Sequence, residues 1–392
     1  MKKDDRLIAI YDFEVFPYAL GDVLTWNIRT AIKCKQLNKK AVDVYVCIDK
    51  EHPAGIYQKG LIDTDNCELF FSELYAAFAT NPMLGNLFFY RKRSELIENL
   101  VEISVQDISN KEALNDYLNV IGYAENISSD KNYSLKIFNY FRKFKSLKNL
   151  YSKYMSDDAK RIAMNIIGSD EKKLNDYFIK YIHSHRAINE YAKTTGTIPF
   201  LCSGPGCEPD IEELIGKEFS GKKIVPFHLR LRRLDGGYGG EQSYERDSNF
   251  LEWYDFLVEA KRKHPDVIFI ALGRLQEKPL AILKLPNVIS LRNYGMGIGH
   301  ELSLMLKSDL FIGTSSGFAA FANFSPIKYY ITRMNPGSCH AYDIPEGVDT
   351  LPFGLPGQKL IYEKETTELL INLLEEGLER KCNQNFSSKE GL

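Results

Sequence analysis

Apolar positions along the chain follow two alternating periods, one typical of strands and one typical of helices. Residues 7–15 are rich in strand-forming side chains, residues 22–37 repeat apolar side chains at helical spacing, and residues 41–48 alternate as a second strand. A strand, a helix and a strand of these lengths form a right-handed crossover, which builds a parallel sheet. Residues 68–79 indicate a further helix and residues 85–90 a third strand.

The pattern changes in the middle of the chain. Residues 91–193 are rich in Lys, Asn, Leu and Tyr at helical spacing and give few strand signals, which predicts a helical lobe inserted in the first domain. Residues 194–223 are rich in Gly and Pro, which indicates a domain boundary.

A second α/β series follows this boundary. Its predicted strands are residues 223–229, 267–272, 288–291, 310–312 and 327–331, and its predicted helices are residues 248–263, 299–307, 318–324 and 363–380, with Ser248 capping the first of them. The pattern therefore predicts an α/β fold in which two Rossmann-like parallel-sheet domains face each other across a cleft. The expected boundaries are residues 1–200 and 201–365, with a C-terminal helix and tail over 366–392.

Length and composition agree with this organisation. A chain of 392 residues exceeds the size at which single cores stop growing, so two domains are expected. Fifty basic and 52 acidic residues leave no basic surplus, which argues against a nucleic-acid partner. Seven scattered cysteines without a C-x-x-C pair are typical of reduced thiols, and no apolar stretch approaches the roughly 20 residues of a spanning helix. We expect a cytoplasmic protein whose membrane contact, if any, is peripheral.

The first strand of the second series ends in F-H-L-R-L-R-R, residues 227–233. Alternation places His228, Arg230 and Arg232 on one side of the extended chain, at the strand end where doubly wound domains bind ligands. Arginine there suits phosphate oxygens, which it can contact through two hydrogen bonds. The alternative is a salt-bridged cluster with the acidic residues at positions 235, 241, 245 and 247.

The stretch D-L-F-I-G-T-S-S-G, residues 309–317, combines a strand with a turn of small polar residues before a helix. Two interpretations remain open: Thr314 and Ser315 cap the helix, or the turn binds a phosphate or a sugar hydroxyl at the helix N-terminus. Polar, Gly-containing ends on neighbouring strands favour the second. The candidate ligand-binding residues are His228, Arg230, Arg232, Gly273, Arg274, Asn293, Tyr294, His300, Glu301, Thr314, Ser315, Ser316 and Gly317.

These motifs resemble the donor half of two-domain (GT-B) nucleotide-sugar glycosyltransferases. F-H-L-R-L-R-R is similar to the H-x-R-R of the fucosyltransferase-like branch, which holds the donor diphosphate. The stretch from residue 309 resembles the nucleotide-sugar loop of that branch and also the D-T-G-x-x-H-x-x-A element of heptosyltransferases. Here Thr314 to Gly317 replace the acidic start, and Ala320 or Phe321 stands in place of the His.

The segment A-L-G-D, residues 19–22, resembles the G-D loop and helix of heptosyltransferases, in which the Asp is the catalytic base facing the acceptor. The resemblance therefore gives Asp22 that role. Judged from its position alone, Asp22 could instead cap the helix, and the helix dipole would stabilise its charged form. Asp12 and Glu14, at the end of the first strand, are the other candidate catalytic carboxylates.

The resulting expectation is a glycosyltransferase that moves a sugar from a nucleotide-diphosphate donor to a glycan or lipid-linked glycan. The pair Asp63 and Asp65 has the D-x-D spacing of a metal site, but such pairs arise by chance, and arginine can hold the diphosphate instead. Neither a metal nor a cofactor is expected. The alternatives are a nucleotide-sugar epimerase or hydrolase of the same fold and a non-catalytic glycan- or nucleotide-binding protein.

Overall fold

The chain folds into two parallel sheets, as the apolar pattern predicted. The structure is a computed structural model that describes residues 5–54, 62–104, 109–118, 184–231 and 246–379. The first sheet has three strands in the order β1-β2-β3, and the second has six in the order β6-β5-β4-β7-β8-β9. Every strand pair in both sheets is parallel. The α/β class with two parallel-sheet domains is therefore confirmed.

The first unit is defined as sheet β1–β3 with the helices around it. Its elements are β1 (Arg6–Asp12), α1 (Leu20–Gln36), β2 (Ala41–Cys47), α2 (Cys67–Ser72), α3 (Tyr75–Phe78), β3 (Leu84–Tyr90), α4 (Arg93–Ser104) and α5 (Ser184–Thr195). Residues 109–118 are also helical. The predicted lobe over 91–193 is helical in its described parts, and its remainder lies outside the described residues.

The second unit is defined as the six-stranded sheet with its helices. Its elements are α6 (Cys207–Glu218), β4 (Lys223–His228), α7 (Phe250–Lys263), β5 (Val267–Ala271), α8 (Leu280–Leu283), β6 (Val288–Ile289), α9 (Ile298–Leu306), β7 (Phe311–Thr314), α10 (Gly317–Asn323), β8 (Tyr329–Thr332), α11 (Pro336–Tyr342), β9 (Gln358–Leu360) and α12 (Thr367–Glu379). Two short 3₁₀ helices, Leu275–Glu277 and Leu291–Tyr294, follow β5 and β6.

Two local predictions were wrong, and one helix was not predicted. The Gly/Pro-rich boundary segment contains the helix α6. This helix begins directly after Gly206, whose backbone has the left-handed conformation. The helix predicted over 68–79 is divided into α2 and α3. Ser248 does not cap α7, because Asn249 occupies the cap position and the Ser248 hydroxyl accepts a hydrogen bond from the Arg230 N–H at 3.1 Å. That contact fixes the chain that leaves β4.

The two units share one hydrophobic core instead of being separated along their whole length. Helix α1 of the first unit buries apolar side chains on most of its circumference, including Leu24 and Ile28. These residues belong to the same buried cluster as Phe321 of α10 and Ile331 of β8 in the second unit. Burial of apolar surface is the main favourable contribution to folding, so this shared core fixes the arrangement of the units at the candidate site.

Candidate active site

The strand order of the second sheet defines a crevice between β4 and β7. Strands β5 and β6 follow β4 on one side, whereas β8 and β9 follow β7 on the other, so the direction of winding reverses between the two central strands. His228 at the end of β4 is paired with Gly313 near the end of β7. In doubly wound sheets, ligands bind at such a reversal, outside the carboxyl ends of the strands.

The N-termini of two helices from different units meet at this crevice. A Cβ atom placed on Gly21 of α1 would lie 3.6 Å from the Gly317 Cα of α10. A Cβ atom on Gly317 would lie 2.7 Å from the Leu20 Cβ, closer than two carbon atoms can approach. Glycine at position 317 therefore permits the contact, which brings the first turn of α1, where Asp22 lies, to the N-terminus of α10.

We expect Gly317→Ala to destabilise the protein by about 1–3 kcal/mol, the usual cost of overpacking a close contact. A lower midpoint in urea unfolding would show this. Gly216→Ala is the matched control, since a Cβ atom on Gly216 in α6 would contact nothing within 4 Å. That substitution should stabilise the protein by about 0.5–1 kcal/mol, because alanine is the better helix former. Equal midpoints for the two variants would contradict the close contact.

Asp22 lies in the first turn of α1 and does not cap it. Ala19 occupies the cap position, so the capping role that the sequence left open does not apply. The Asp22 side chain is exposed, yet the surrounding protein removes enough water to raise its pKa to about 6, against a smaller opposing effect of its own backbone N–H. Both properties fit a carboxylate that opens into a crevice. The dipole argument, which predicted no upward shift, was wrong because desolvation outweighs it.

Asp12 and Glu14 lie away from solvent and are held by Arg93. The Arg93 Nε and Nη2 atoms donate to Asp12 at 2.8 and 3.1 Å, and Nη2 lies 2.6 Å from the Glu14 carboxylate. The Tyr117 hydroxyl also donates to Asp12, at 2.7 Å. These contacts occupy the carboxylates in a buried cluster, so neither is exposed as Asp22 is.

His228 and Arg230 lie at the carboxyl end of β4, as predicted. Burial, with smaller contributions from the charges of Lys278 and Arg230, lowers the pKa of His228 to about 3, so the imidazole is neutral. Its buried Nδ1 atom has no hydrogen-bond partner among the described residues. Arg230 is 21% exposed and its Nε lies 3.9 Å from an Asp247 oxygen. Arg232 lies outside the described residues.

The polar side chains of the loop after β7 do not have the roles that the sequence predicted. Thr314 is fully buried, and the nearly buried Ser315 hydroxyl lies 3.1 Å from the Tyr342 hydroxyl. Ser316 is the helix cap, since its hydroxyl accepts from the Ala319 N–H at 3.3 Å. Capping by Thr314 and Ser315 was therefore wrong by one or two positions. Ser316 and Gly317 are half-buried and are the part of the loop nearest α1.

Gly273 and Glu301 form part of a buried polar network beside His228. Gly273 has a φ of +97°, in the left-handed region, and a Cβ atom there would lie 3.6 Å from the His228 ring. Glu301 is fully buried and accepts a hydrogen bond from the Gly273 N–H at 3.1 Å. Arg292 contacts the same carboxylate at 3.3 Å. Glu301 therefore holds the turn after β5 from inside the protein, and its carboxylate is not exposed in the crevice.

Among the described residues, no contact brings the remaining predicted residues to the crevice. Asn293 and Tyr294 are exposed on a 3₁₀ turn. The His300 ring lies 3.1 Å from Asp210 of α6. Arg274 lies near the first unit, 3.8 Å from a Glu73 oxygen. They stay candidates only for parts of a ligand that extend beyond the crevice.

Three polar residues near the crevice were missed from the sequence. Lys278 donates to the Ala271 carbonyl at 2.6 Å and to the Ser290 hydroxyl at 3.0 Å, and burial lowers its pKa to about 8. Burial also lowers the pKa of Arg246, which lies within electrostatic range of Tyr342. Tyr342 is the last residue of α11, and its hydroxyl lies 3.1 Å from that of Ser315. Nothing in the sequence spacing indicated the contacts that these three side chains make.

In the described ranges, no group of three or more His, Cys, Asp or Glu side chains could hold a metal ion. Asp63 of the D-x-D pair instead accepts backbone hydrogen bonds from Asp65 and Asn66, at 2.9 and 3.0 Å, in a turn that precedes α2. No helix in the described part of the chain is long and apolar enough to cross a membrane.

Comparison with known proteins gives similarity to solved structures but not to sequences. No protein-family model matches the chain, and no curated protein matches it. The ADP-heptose LPS heptosyltransferase II of E. coli is 11% identical, with a TM-score of 0.49 over 95% of this chain and 98% of that one. A glycosyl transferase of family 9 from Veillonella parvula is 12% identical, with a TM-score of 0.47 over 95% and 97%. A UDP-GlcNAc 2-epimerase from Neisseria meningitidis is 11% identical, with a TM-score of 0.36 over 95% and 93%.

Proposed function

We propose that this protein is a glycosyltransferase that moves a sugar from a nucleotide-diphosphate donor to a hydroxyl of a surface glycan or lipid-linked glycan of bacterial type. One observation carries the proposal. Asp22, an exposed carboxylate with a raised pKa, lies next to Gly21 of α1, which meets Gly317 at the N-terminus of α10, while His228 and Arg230 lie at the carboxyl end of β4. In the proposal these side chains face the β4–β7 crevice from opposite units. A base and a phosphate-binding cation on opposite sides of a crevice are what sugar transfer requires.

In the proposed reaction the acceptor hydroxyl attacks the anomeric carbon of the donor sugar. Asp22 takes the hydroxyl proton as the new carbon–oxygen bond forms, which is the role of a general base within hydrogen-bond reach. The bond between the sugar and the diphosphate breaks, and the diphosphate leaves with the electron pair. Arg230 stabilises the charge that develops on it, so the residues proposed here perform the transfer without a metal or a cofactor.

The neutral His228 complements Arg230 in this proposal. An uncharged imidazole can donate one hydrogen bond and accept another. Its Nδ1 atom is buried and has no partner among the described residues, so in the proposal the ligand is contacted by the other ring nitrogen. The loop from Ser316 to Gly317 would contribute backbone contacts, whereas the Thr314 and Ser315 hydroxyls point into the protein and would only shape the site.

The function is tested by incubating the protein with a panel of nucleotide sugars and following nucleotide release with and without glycan acceptors. Release that depends on an acceptor is the expected result. Equal release without an acceptor would instead favour an epimerase or hydrolase. Thermal stabilisation by nucleotide sugars without any release would favour a non-catalytic binding protein.

We expect Arg230→Ala to weaken nucleoside diphosphate binding by about 2 kcal/mol, since hydrogen bonds to charged groups contribute about 1.5–3 kcal/mol. Titration calorimetry with ADP, GDP, UDP and CDP would measure this. Arg262→Ala is the matched control, because Arg262 is an exposed arginine of α7 that pairs with Glu259. Unchanged affinity in Arg230→Ala would remove Arg230 from the donor site.

A further inference from the structure

Glu73 of the first unit forms an ion-pair cluster with the second unit. It lies between α2 and α3, and its Oε2 atom is 3.4 Å from Arg292 Nη1 and 3.8 Å from Arg274 Nε. Next to it, the Arg274 guanidinium lies over the Phe70 ring, 5.7 Å from its centre. Two arginines of the second unit are thus held by one short segment of the first.

The same arginine continues into the network beside the crevice. Arg292 uses its other nitrogens on Glu301, with Nη2 at 3.3 Å and Nε at 3.5 Å from the two carboxylate oxygens. Glu301 in turn accepts from the Gly273 N–H and lies 4.0 Å from Lys278 Nζ. Arg292 therefore links Glu73, across the boundary between the units, to the turn that contacts the His228 ring.

Charge balance shows what Glu73 contributes. Three cations, Arg274, Arg292 and Lys278, lie close to the carboxylates of Glu73 and Glu301, and the Glu277 carboxylate also acts on Lys278. The Glu73 and Arg292 side chains are 27% and 18% exposed, so water screens their attraction less than it screens a surface pair. Without Glu73, Arg274 and Arg292 would lose the carboxylate that both approach, and the two units would lose their ionic contact at this place.

We propose that Glu73 is a positioning residue that holds the two units in the arrangement needed for sugar transfer. The proposal rests on the proposed function for its catalytic consequence, but the holding itself is a property of the ligand-free protein. Glu73 does not contact the reacting atoms. Glu73 positions the turn at Gly273 indirectly, through Arg292 and Glu301. By holding the two units together, it also maintains the contact between α1 and α10.

Amide hydrogen exchange in α1 and α10, where Gly21 and Gly317 meet, tests this proposal. In Glu73→Gln we expect exchange about fivefold faster than in the wild type, because the units separate more often when a part-buried ion pair is lost. The difference should shrink in 1 M NaCl, where screening already weakens the wild-type pair. The urea midpoint of the variant is measured in parallel, to distinguish local separation from global unfolding.

Glu68→Gln is the matched control. Glu68 lies in α2, and its partners Lys50 and Arg91, at 3.1 and 3.6 Å, belong to the first unit. In Glu68→Gln, amide hydrogen exchange in α1 and α10 should be as slow as in the wild type. Exchange in Glu73→Gln no faster than in Glu68→Gln would overturn the proposal, whether or not the protein transfers sugars.

Kinetics separate this inference from the proposed function. If the wild type transfers sugar, Glu73→Gln should lower kcat several-fold and leave nucleoside diphosphate affinity within about twofold, since the residue positions the units without touching the ligand. An unchanged kcat with weakened diphosphate binding would make Glu73 part of the binding site and overturn its positioning role. Faster exchange in a protein that transfers no sugar would support the holding role and overturn the proposed function.

Discussion

Asp22→Asn should lower the rate of sugar transfer by about 10²–10⁴-fold, the contribution typical of a general base. The amide has nearly the same shape but cannot take the proton of the acceptor hydroxyl. Nucleoside diphosphate affinity should stay within about twofold, because the groups proposed to bind the diphosphate belong to the second unit. Steady-state kinetics and calorimetry with the same nucleotide measure the two effects.

The pH profile gives an independent measurement of the same role. The pKa of Asp22 is raised to about 6, chiefly because the surrounding protein removes water and so disfavours the charged form. A base acts when it is deprotonated, so wild-type activity should rise as pH passes through about 6 and fall below it. Asp22→Asn should lack this limb in its residual activity. A fully active variant, or an unchanged limb at pH 6, would exclude Asp22 as the base.

Asp22→Asn should not destabilise the fold. Since the folded-state pKa lies above the unfolded value, the folded protein favours the protonated carboxyl, and the ionised form lowers stability at pH above about 6. Removing that charge should leave the unfolding temperature at pH 7.5 unchanged or higher. The variant should therefore lose activity and keep or gain thermal stability. This combination is expected of a residue that is retained for function at a cost in stability.

Arg93→Met should destabilise the protein by about 3–5 kcal/mol, the cost of removing one partner from a buried ion pair. Arg93 is 5% exposed and contacts the carboxylates of Asp12 and Glu14, and its backbone N–H donates to Asp49 at 2.9 Å. Burial by itself would lower the pKa of Arg93, but these carboxylates raise it. Without the guanidinium, buried negative charges would be left together, so urea unfolding should begin at a much lower concentration.

Arg91→Met is the matched control for this prediction. Arg91 lies two residues earlier and is 78% exposed, with a Glu68 oxygen at 3.6 Å. Its loss should change stability by no more than about 0.5 kcal/mol, as for most surface substitutions. Adding Asp12→Asn to Arg93→Met should recover part of the lost stability, because one unpaired carboxylate is removed. Equal urea midpoints for the Arg91 and Arg93 variants would contradict the buried cluster.

Local pattern was sufficient for most of the secondary structure. Strand β2 was predicted over residues 41–48 and forms over Ala41–Cys47, and the helix predicted over 248–263 forms over Phe250–Lys263. Apolar periodicity records which face of an element is buried, and that information lies within neighbouring residues. The errors fall at element ends, such as the cap of α7, where one hydrogen bond to a distant residue decides the position.

The candidate site was predictable only in part, for the same reason. F-H-L-R-L-R-R correctly placed His228 and Arg230 at the end of β4, because the end of a strand can be read from the sequence. The ion-pair partner of Asp12 could not be predicted from the sequence, because Arg93 lies 81 residues further along the chain. Asp12 and Glu14 therefore resembled free carboxylates until the fold brought a cation to them.

The sequence by itself determined the alternation of strands and helices, two parallel sheets and the polar ends of the strands around residues 228 and 314. Only the tertiary structure decided which polar groups remain accessible. It buried Thr314, made Ser316 the helix cap, paired Asp12 and Glu14 with Arg93, and left Asp22 exposed next to Gly21, which meets Gly317. The physical reason is that burial and ion pairing depend on contacts between residues far apart in the chain, whereas periodicity depends on near neighbours.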